Sequence, residues 1–147
     1  HRVKFSNSGV QKMLGEKIGS FIATSTNKAL SCHDGALPSF ETTAQGSGTI
    51  AGAEVSMMST YTADMRADGS LQGECPNAGV LMAQDGVATF SANGMGNFTE
   101  EGGNHFVGVA YFQASAPSLS SLNGKCVVFE WDVTADGAAT WELWEWK

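Results

Sequence analysis

Apolar and polar residues alternate along most of this chain, and the alternation is clearest close to its end. One parity there is almost entirely apolar and consists of Val127, Phe129, Trp131 and Val133. The other parity holds Cys126, Val128, Glu130, Asp132 and Thr134. A period of two residues is typical of a β-strand with one buried face. Similar segments predict eight strands, at residues 14–30, 40–50, 54–66, 70–83, 87–99, 104–115, 126–134 and 140–147.

Turn-forming dipeptides punctuate these segments. They are Asp34-Gly35, Asp68-Gly69, Asp85-Gly86, Asn93-Gly94, Asn123-Gly124 and Asp136-Gly137. Such pairs tolerate the positive φ of tight hairpin turns and therefore favour antiparallel neighbours. Closing the sheet removes the exposed edges of so long a meander. The sequence therefore predicts an all-β fold, an eight-stranded antiparallel up-and-down barrel of calycin-like form.

Three local irregularities are expected within this pattern. The first strand does not alternate cleanly, which indicates a bend or bulge near Gly19. Pro76, next to Cys75, cannot donate to a ladder and predicts a bulge or a break in the fourth strand. Residues 117–123 predict one short helical turn before the seventh strand, because Pro117 suits a first turn and Leu119 and Leu122 form an apolar pair.

The beginning of the chain differs from the rest. Residues 1–12 are polar, lack the apolar run of a secretory signal, and precede Met13. We interpret them as an expression remnant or an upstream segment outside the fold, and residues 13–147 as one barrel domain. A cytoplasmic location is the corresponding expectation.

Charge and cysteine content exclude several classes of function. The 147 residues carry a formal charge of −7, with no basic stripe, which argues against nucleic acids and anionic membranes as partners. Cys32, Cys75 and Cys126 are widely spaced, and no CxxC or HxxxH pattern accompanies them. We therefore expect reduced thiols, no bound metal and no cofactor.

Several strand and turn patterns carry a resemblance to known proteins. They are residues 46–49 (GSGT), 68–74 (DGSLQGE), 94–98 (GMGNF), 111–113 (YFQ), 129–131 (FEW) and 143–146 (LWEW). In these patterns the chain resembles small, uncharacterised bacterial barrels of the allene oxide cyclase-like and calycin-like group. The resemblance implies a barrel fold, and members with a known role bind or isomerise small apolar molecules inside the barrel or at its mouth. It assigns no catalytic residue here.

Candidate site residues come from the faces of the predicted strands. His105, Tyr111 and Gln113 share one parity of the sixth strand and could form a wall that orients a ligand or polarises a carbonyl. The opposite parity, with Phe106 and Phe112, is equally apolar. The proposed ligand-binding residues are Met57, Tyr61, His105, Tyr111, Gln113, Phe129 and Trp131.

Catalytic candidates are less well defined. They are His105, Tyr111 and Glu130. Glu130 and Asp132 form a general acid–base pair if their face lines a lumen, and a solvated outer surface if it does not. Met82 and Met95, with Met57, suggest an adaptable interior.

Three functions fit these patterns. The first is a barrel that binds a small apolar or weakly polar molecule. The second is a cofactor-free isomerase or cyclase that acts in the lumen. The third is an assembly or interaction protein with a solid core. A lumen below about 100 Å³ would exclude the first two, because ligand pockets usually reach about 300 Å³ or more.

Aromatic residues on both faces of the last strand, Trp141 against Trp144 and Trp146, favour a homodimer or larger homo-oligomer.

Overall fold

The computed structural model describes residues 14–147 and has eight antiparallel strands in one closed barrel. Each strand pairs with the next in the sequence, and the last pairs with the first. The strands are β1 (Leu14–Ala29), β2 (Ser39–Ile50), β3 (Ala53–Met65), β4 (Leu71–Ala83), β5 (Gly86–Phe98), β6 (Asn104–Ala114), β7 (Val127–Val133) and β8 (Ala138–Trp146). The predicted up-and-down barrel is confirmed. The division at residues 1–12 and Met13 lies outside the described residues.

Five of the six Asp-Gly and Asn-Gly pairs lie where one element passes to the next. At Asp68-Gly69, for example, Gly69 has a φ of 87°, which a residue with a side chain rarely adopts. The sixth pair, Asn93-Gly94, lies inside β5 instead. Gly94 is required there by close packing, since a Cβ would come within 2.8 Å of the Val107 carbonyl oxygen.

Alternation sorts the side chains between the interior and the outer surface. In β7, Phe129 and Trp131 are 8% and 6% exposed and point inward, whereas Glu130 and Asp132 are exposed on the outside. The solvated outer face expected for these carboxylates is therefore the arrangement found. In β6 the inward parity is that of Phe106 and Phe112, and the parity of His105 faces out.

Both predicted bulges are present. The pairing of β1 with β8 shifts register between Leu14 and Gly19. In β4 the pairing with β5 jumps from Cys75 to Gly79. Pro76, Asn77 and Ala78 loop outward between these two residues and are exposed, and Asn77 has a positive φ of 54°. This bulge lies beside the middle of the barrel interior.

Aromatic rings lie directly against glycine backbones on the inner wall. A Cβ on Gly79 would lie 2.2 Å from Phe90 Cζ, and one on Gly96 would lie 2.7 Å from Phe106 Cγ. Because these glycines have no side chain, the neighbouring strand has room for a large aromatic ring. The rings also contact each other, as in the pair Phe90–Trp141 with centroids 5.0 Å apart. This interlocking fills most of the interior.

A short 3₁₀-helix, Pro117–Leu122, closes one end of the barrel, as the sequence predicts. Leu119 and Leu122 are 0% and 1% exposed and plug the interior from that end. The Asp85 carboxylate of the β4–β5 turn accepts hydrogen bonds from the Ser118 amide at 2.8 Å and the Ser118 hydroxyl at 2.6 Å. These bonds satisfy an amide of the first helical turn and fix the plug to the neighbouring hairpin.

Candidate functional site

The barrel contains one central cavity of about 60 Å³ among the described residues. Most of its wall consists of aromatic rings and apolar side chains. The inward-facing lining residues with side chains are Met57, Ser59, Tyr61, Cys75, Phe90, Ala92, Phe106, Phe129, Trp131 and Trp141. Gly73 and Gly94 also line it, where the rings of Phe106 and Phe129 approach their backbones, as do Glu74 and Asn93, which stand opposite each other on β4 and β5. The site is therefore a compact and largely ring-lined space.

Alongside Ser59, Tyr61 supplies a hydroxyl group to the lining of this cavity. Its phenol oxygen accepts a hydrogen bond from Trp131 Nε1 at 3.0 Å. Thr42 lies opposite Tyr61 in the β2–β3 register. The Thr42 hydroxyl donates to Asn27 Oδ1 at 2.7 Å. A row of polar side chains thus runs from the cavity to the exposed end of β1.

Burial controls the protonation of this group. Desolvation raises the pKa of the Tyr61 phenol above its ordinary value of 10.0, and the hydrogen bonds with Trp131 and Thr42 oppose the rise. The phenol is therefore neutral at physiological pH. In that form it accepts one hydrogen bond and retains a proton to donate.

Cys75 is the second ionisable group in the cavity wall. Burial raises the pKa of its thiol above 9.0, and the backbone amides of Ala78 and Thr60 oppose this effect. The thiol is thus neutral and unreactive at physiological pH. The β4 bulge begins directly after Cys75, so this residue lies between the cavity and the irregular part of the wall.

The structure brings together four of the seven ligand-binding residues predicted from the sequence. Met57, Tyr61, Phe129 and Trp131 all line the cavity. Their common parity within β3 and within β7 carries them inward. Their contact with a ligand stays a prediction.

The other three residues, His105, Tyr111 and Gln113, lie on the outer surface of β6 and do not line the cavity. The reason is the parity of β6, in which Phe106 and Phe112 point inward. Glu130, the remaining catalytic candidate, is exposed on the outside of β7. None of the three catalytic candidates reaches the lumen.

His105 instead pairs with Asp132 on the outer surface. Its Nδ1 lies 2.5 Å from Asp132 Oδ1, and the two side chains are 43% and 51% exposed. A contact so exposed contributes little to stability. It joins the outer faces of β6 and β7 where His105 and Asp132 stand opposite each other.

The adaptable, methionine-rich interior that the sequence suggests is wrong for two residues. Met82 and Met95 point outward and are 37% and 39% exposed. Met57 is buried, as expected. The interior is therefore stiffer than a methionine-rich lining would make it, because rings and glycines form most of the wall.

Sequence reasoning missed Phe90, Phe106 and Trp141 as site residues. Phe90 lies on the more apolar parity of its predicted strand, which was the available signal. The strands of Phe106 and Trp141 carry apolar residues on both parities, so their pattern gave no such signal. Trp141 is central, with ring contacts to Phe21, Phe90, Phe112, Phe129 and Trp131. Sequence alternation does not show which inward residues meet across a barrel.

An apolar patch covers the outside of β5–β8 and is called the outer apolar patch below. It consists of Met95, Val107, Val109, Tyr111, Val128 and Trp144. Tyr111 and Val107 are its most exposed members, at 52% and 48%. Strand pairing places several members side by side, since Val109 stands opposite Val128 and Val128 stands opposite Trp144. The Lys17 ammonium lies 5.5 Å from the Trp144 ring centroid and marks one border.

Comparison with known proteins gives the fold alone. A protein of unknown function from Clostridium acetobutylicum has a TM-score of 0.75 at 12% identity, over 90% of this chain and 97% of its own. A conserved protein of unknown function from Rhodopseudomonas palustris has a TM-score of 0.73 at 12% identity, with the same coverage. A β-barrel-like protein from Acinetobacter baumannii has a TM-score of 0.70 at 14% identity, over 91% of this chain and 95% of its own.

No family model and no curated protein matches the sequence. The resemblance to allene oxide cyclase-like and calycin-like barrels therefore stays a prediction. Among the helices in residues 14–147, none is long and apolar enough to cross a membrane. The chain is similar to small bacterial barrels in fold.

Proposed function

We propose that this chain is an assembly protein that works through the outside of its barrel, where the outer apolar patch pairs with a second copy of the chain. The observation that carries this proposal is the filled interior. Rings packed on glycines leave about 60 Å³, well below the roughly 300 Å³ or more that ligand pockets usually reach.

The outer apolar patch supports a protein partner. Soluble monomers rarely expose contiguous apolar patches larger than a few hundred Å². Here Val107, Val109 and Tyr111 stand on the same face of β6. Met95 of β5 lies opposite Val107, and Val128 of β7 lies opposite Val109. Charges lie beside this region, at Glu130 next to Val107 and at Lys17 over Trp144. An apolar centre with a charged rim is the usual composition of a protein interface.

A second copy is the simplest partner for such a patch. Most soluble oligomers are two-fold dimers in which one surface meets itself. An apolar centre is self-complementary, whereas a strongly charged surface would repel its own copy. A homodimer is therefore the expected assembly.

The test compares two Val→Lys variants. Val107→Lys places an ammonium on one of the most exposed residues of the patch, and Glu130 of β7 stands opposite as a counter-charge within the monomer. Val87→Lys is the matched control, because Val87 is 41% exposed on the outside of β5 but lies outside the patch. Sedimentation equilibrium should show a wild-type dimer, an unchanged Val87→Lys dimer, and at least about a tenfold higher dissociation constant for Val107→Lys.

Two results would contradict the proposal. One is a wild-type protein that stays monomeric at every concentration measured. The other is a dimer that Val107→Lys and Val87→Lys weaken equally. The second result would place the contact elsewhere on the barrel.

The volume of about 60 Å³ excludes the binding of a ligand of ordinary size, and the second candidate function is the binding of a much smaller apolar or weakly polar molecule in the cavity. The ring-lined wall that includes Met57, Tyr61, Phe129 and Trp131 favours it. The cavity volume limits such a ligand to a few non-hydrogen atoms. The isomerase or cyclase alternative has weaker support, because His105, Tyr111 and Glu130 all face away from the lumen.

A further inference from the structure

We propose that the cavity binds one compact, neutral molecule that carries a hydrogen-bond acceptor, and that the Tyr61 hydroxyl donates to this acceptor. Small ketones and other compact carbonyl compounds are the chemical class that fits. The inference rests on the second candidate function and names its ligand and its polar contact.

The volume sets the size of the ligand. One water molecule, which is about the size of one non-hydrogen atom, needs about 10–15 Å³ of cavity volume. A cavity of 60 Å³ therefore accepts about four to six non-hydrogen atoms. A four-atom molecule such as acetone falls within this limit. A steroid, a fatty acid or a cyclised lipid does not.

The wall sets the polarity of the ligand. Phe106, Phe129 and Trp141 present rings to the cavity, and these rings provide dispersion contacts without charge. Glu74 borders the cavity, but it belongs to the exposed outward parity of β4. An ionised ligand would meet no opposite charge inside and would lose its hydration. The ligand is therefore neutral.

The hydrogen bonds around Tyr61 assign the donor. Trp131 Nε1 already occupies an acceptor position on the Tyr61 oxygen, so the phenol proton is the group left to donate. The neighbouring Thr42 hydroxyl donates to Asn27 and keeps that hydrogen bond when the phenol turns into the cavity.

The experiment uses two probes of equal size and shape. Acetone carries a carbonyl acceptor, and 2-methylpropene replaces the carbonyl oxygen by a CH₂ group. Each is titrated into the intact protein, and binding is followed by the NMR shift of the Met57 methyl group, which lines the cavity. Their intrinsic hydrophobicity differs, so the informative quantity is the ratio of their affinities in wild type compared with Tyr61→Phe.

We expect both probes to bind wild type and the acetone-to-2-methylpropene affinity ratio to fall about two- to twelvefold in Tyr61→Phe, the range for one hydrogen bond. Ala92→Leu fills the cavity and should abolish both shifts. The circular dichroism and the Trp131 signal of each variant establish that it is folded.

Each contrary outcome has a separate meaning. If both probes bind but the ratio does not change in Tyr61→Phe, the phenol is not the donor, and the inference fails while the ligand-binding function stands. If neither probe shifts the Met57 methyl signal, the inference and the ligand-binding function both fail. If the shifts persist in Ala92→Leu, the probes bind outside the cavity, and the inference and the ligand-binding function fail as well.

Discussion

Gly79→Ala should strongly destabilise the barrel although it adds only one methyl group. The new Cβ would lie 2.2–2.4 Å from three carbons of the Phe90 ring. Ordinary carbon contacts are about 3.5–4.0 Å, so the overlap exceeds about 1 Å. Overpacking of this kind costs about 1–3 kcal/mol.

The upper end of that range applies because Phe90 has no room to retreat. Its ring is 4% exposed and lies between Trp141, at a centroid distance of 5.0 Å, and Phe112, at 5.5 Å. We therefore expect a loss of about 3 kcal/mol in the free energy of unfolding. For a chain of 147 residues this corresponds to a Tm lower by about 6–12 °C.

The clash with Phe90 is the reason to expect that Gly79→Ala lowers the free energy of unfolding rather than raises it. The φ of Gly79 is not among the positive values, so alanine fits the backbone there. Without the clash, Gly→Ala at a compatible position stabilises by about 0.4–1 kcal/mol through the unfolded chain. Urea unfolding followed by tryptophan fluorescence distinguishes the two outcomes. A Gly79→Ala protein as stable as wild type, or more stable, would refute the interlocking of rings and glycines.

Phe90→Leu provides the matched background. Without the ring, the same Gly79→Ala change should cost little, and the double-mutant cycle should show a coupling of about 2–3 kcal/mol between the two positions. Equal costs in both backgrounds would mean that Gly79 acts through something other than Phe90.

Two further predictions concern pH. The folded protein holds the Tyr61 proton more tightly than the unfolded chain, because burial raises the pKa above 10.0. The stabilising contribution is therefore complete below pH 10.0 and is lost as pH rises through the folded pKa. Urea unfolding at alkaline pH should show a steeper decline in wild type than in Tyr61→Phe, and parallel declines would contradict the burial argument. The Ser118 hydroxyl and amide lower the pKa of Asp85 below 3.8, so this contact stabilises the 3₁₀-helix above that pH and is lost as pH falls through the lowered value. In Asp85→Asn the amide of Leu119 should exchange faster with solvent at neutral pH, and an unchanged exchange rate would show that the contact does not hold the helix.

The fold was predictable because each local signal agreed with the others. Alternation placed Phe129 and Trp131 on one face, turn dipeptides separated the strands, and Pro76 marked the β4 bulge. These signals depend on residues that are neighbours in sequence or across a hairpin. Barrel closure followed from the need to remove edges, and it too was correct.

The site was only partly predictable for a different reason. In β6 both parities are apolar, so the pattern could not decide whether His105 or Phe106 faces inward. The decision comes from contacts with other strands: Phe106 packs on the bare backbone of Gly73 and Gly96. Cavity volume depends on many such distant pairs, and no periodicity reveals it.

The closure of the barrel has a consequence for how the chain folds. Seven of its strand pairs join neighbours in the sequence and can form as local hairpins, whereas β1 meets β8 across 122 positions, as at Ser20 and Glu142. Loop-closure entropy makes this distant pairing the slow event. Until it occurs, the chain is an open meander whose two terminal strands have unpaired backbone groups, with Trp144 and Trp146 on one of them. Refolding yield should therefore fall as concentration rises, since in that interval another chain can take the place that β1 or β8 later fills.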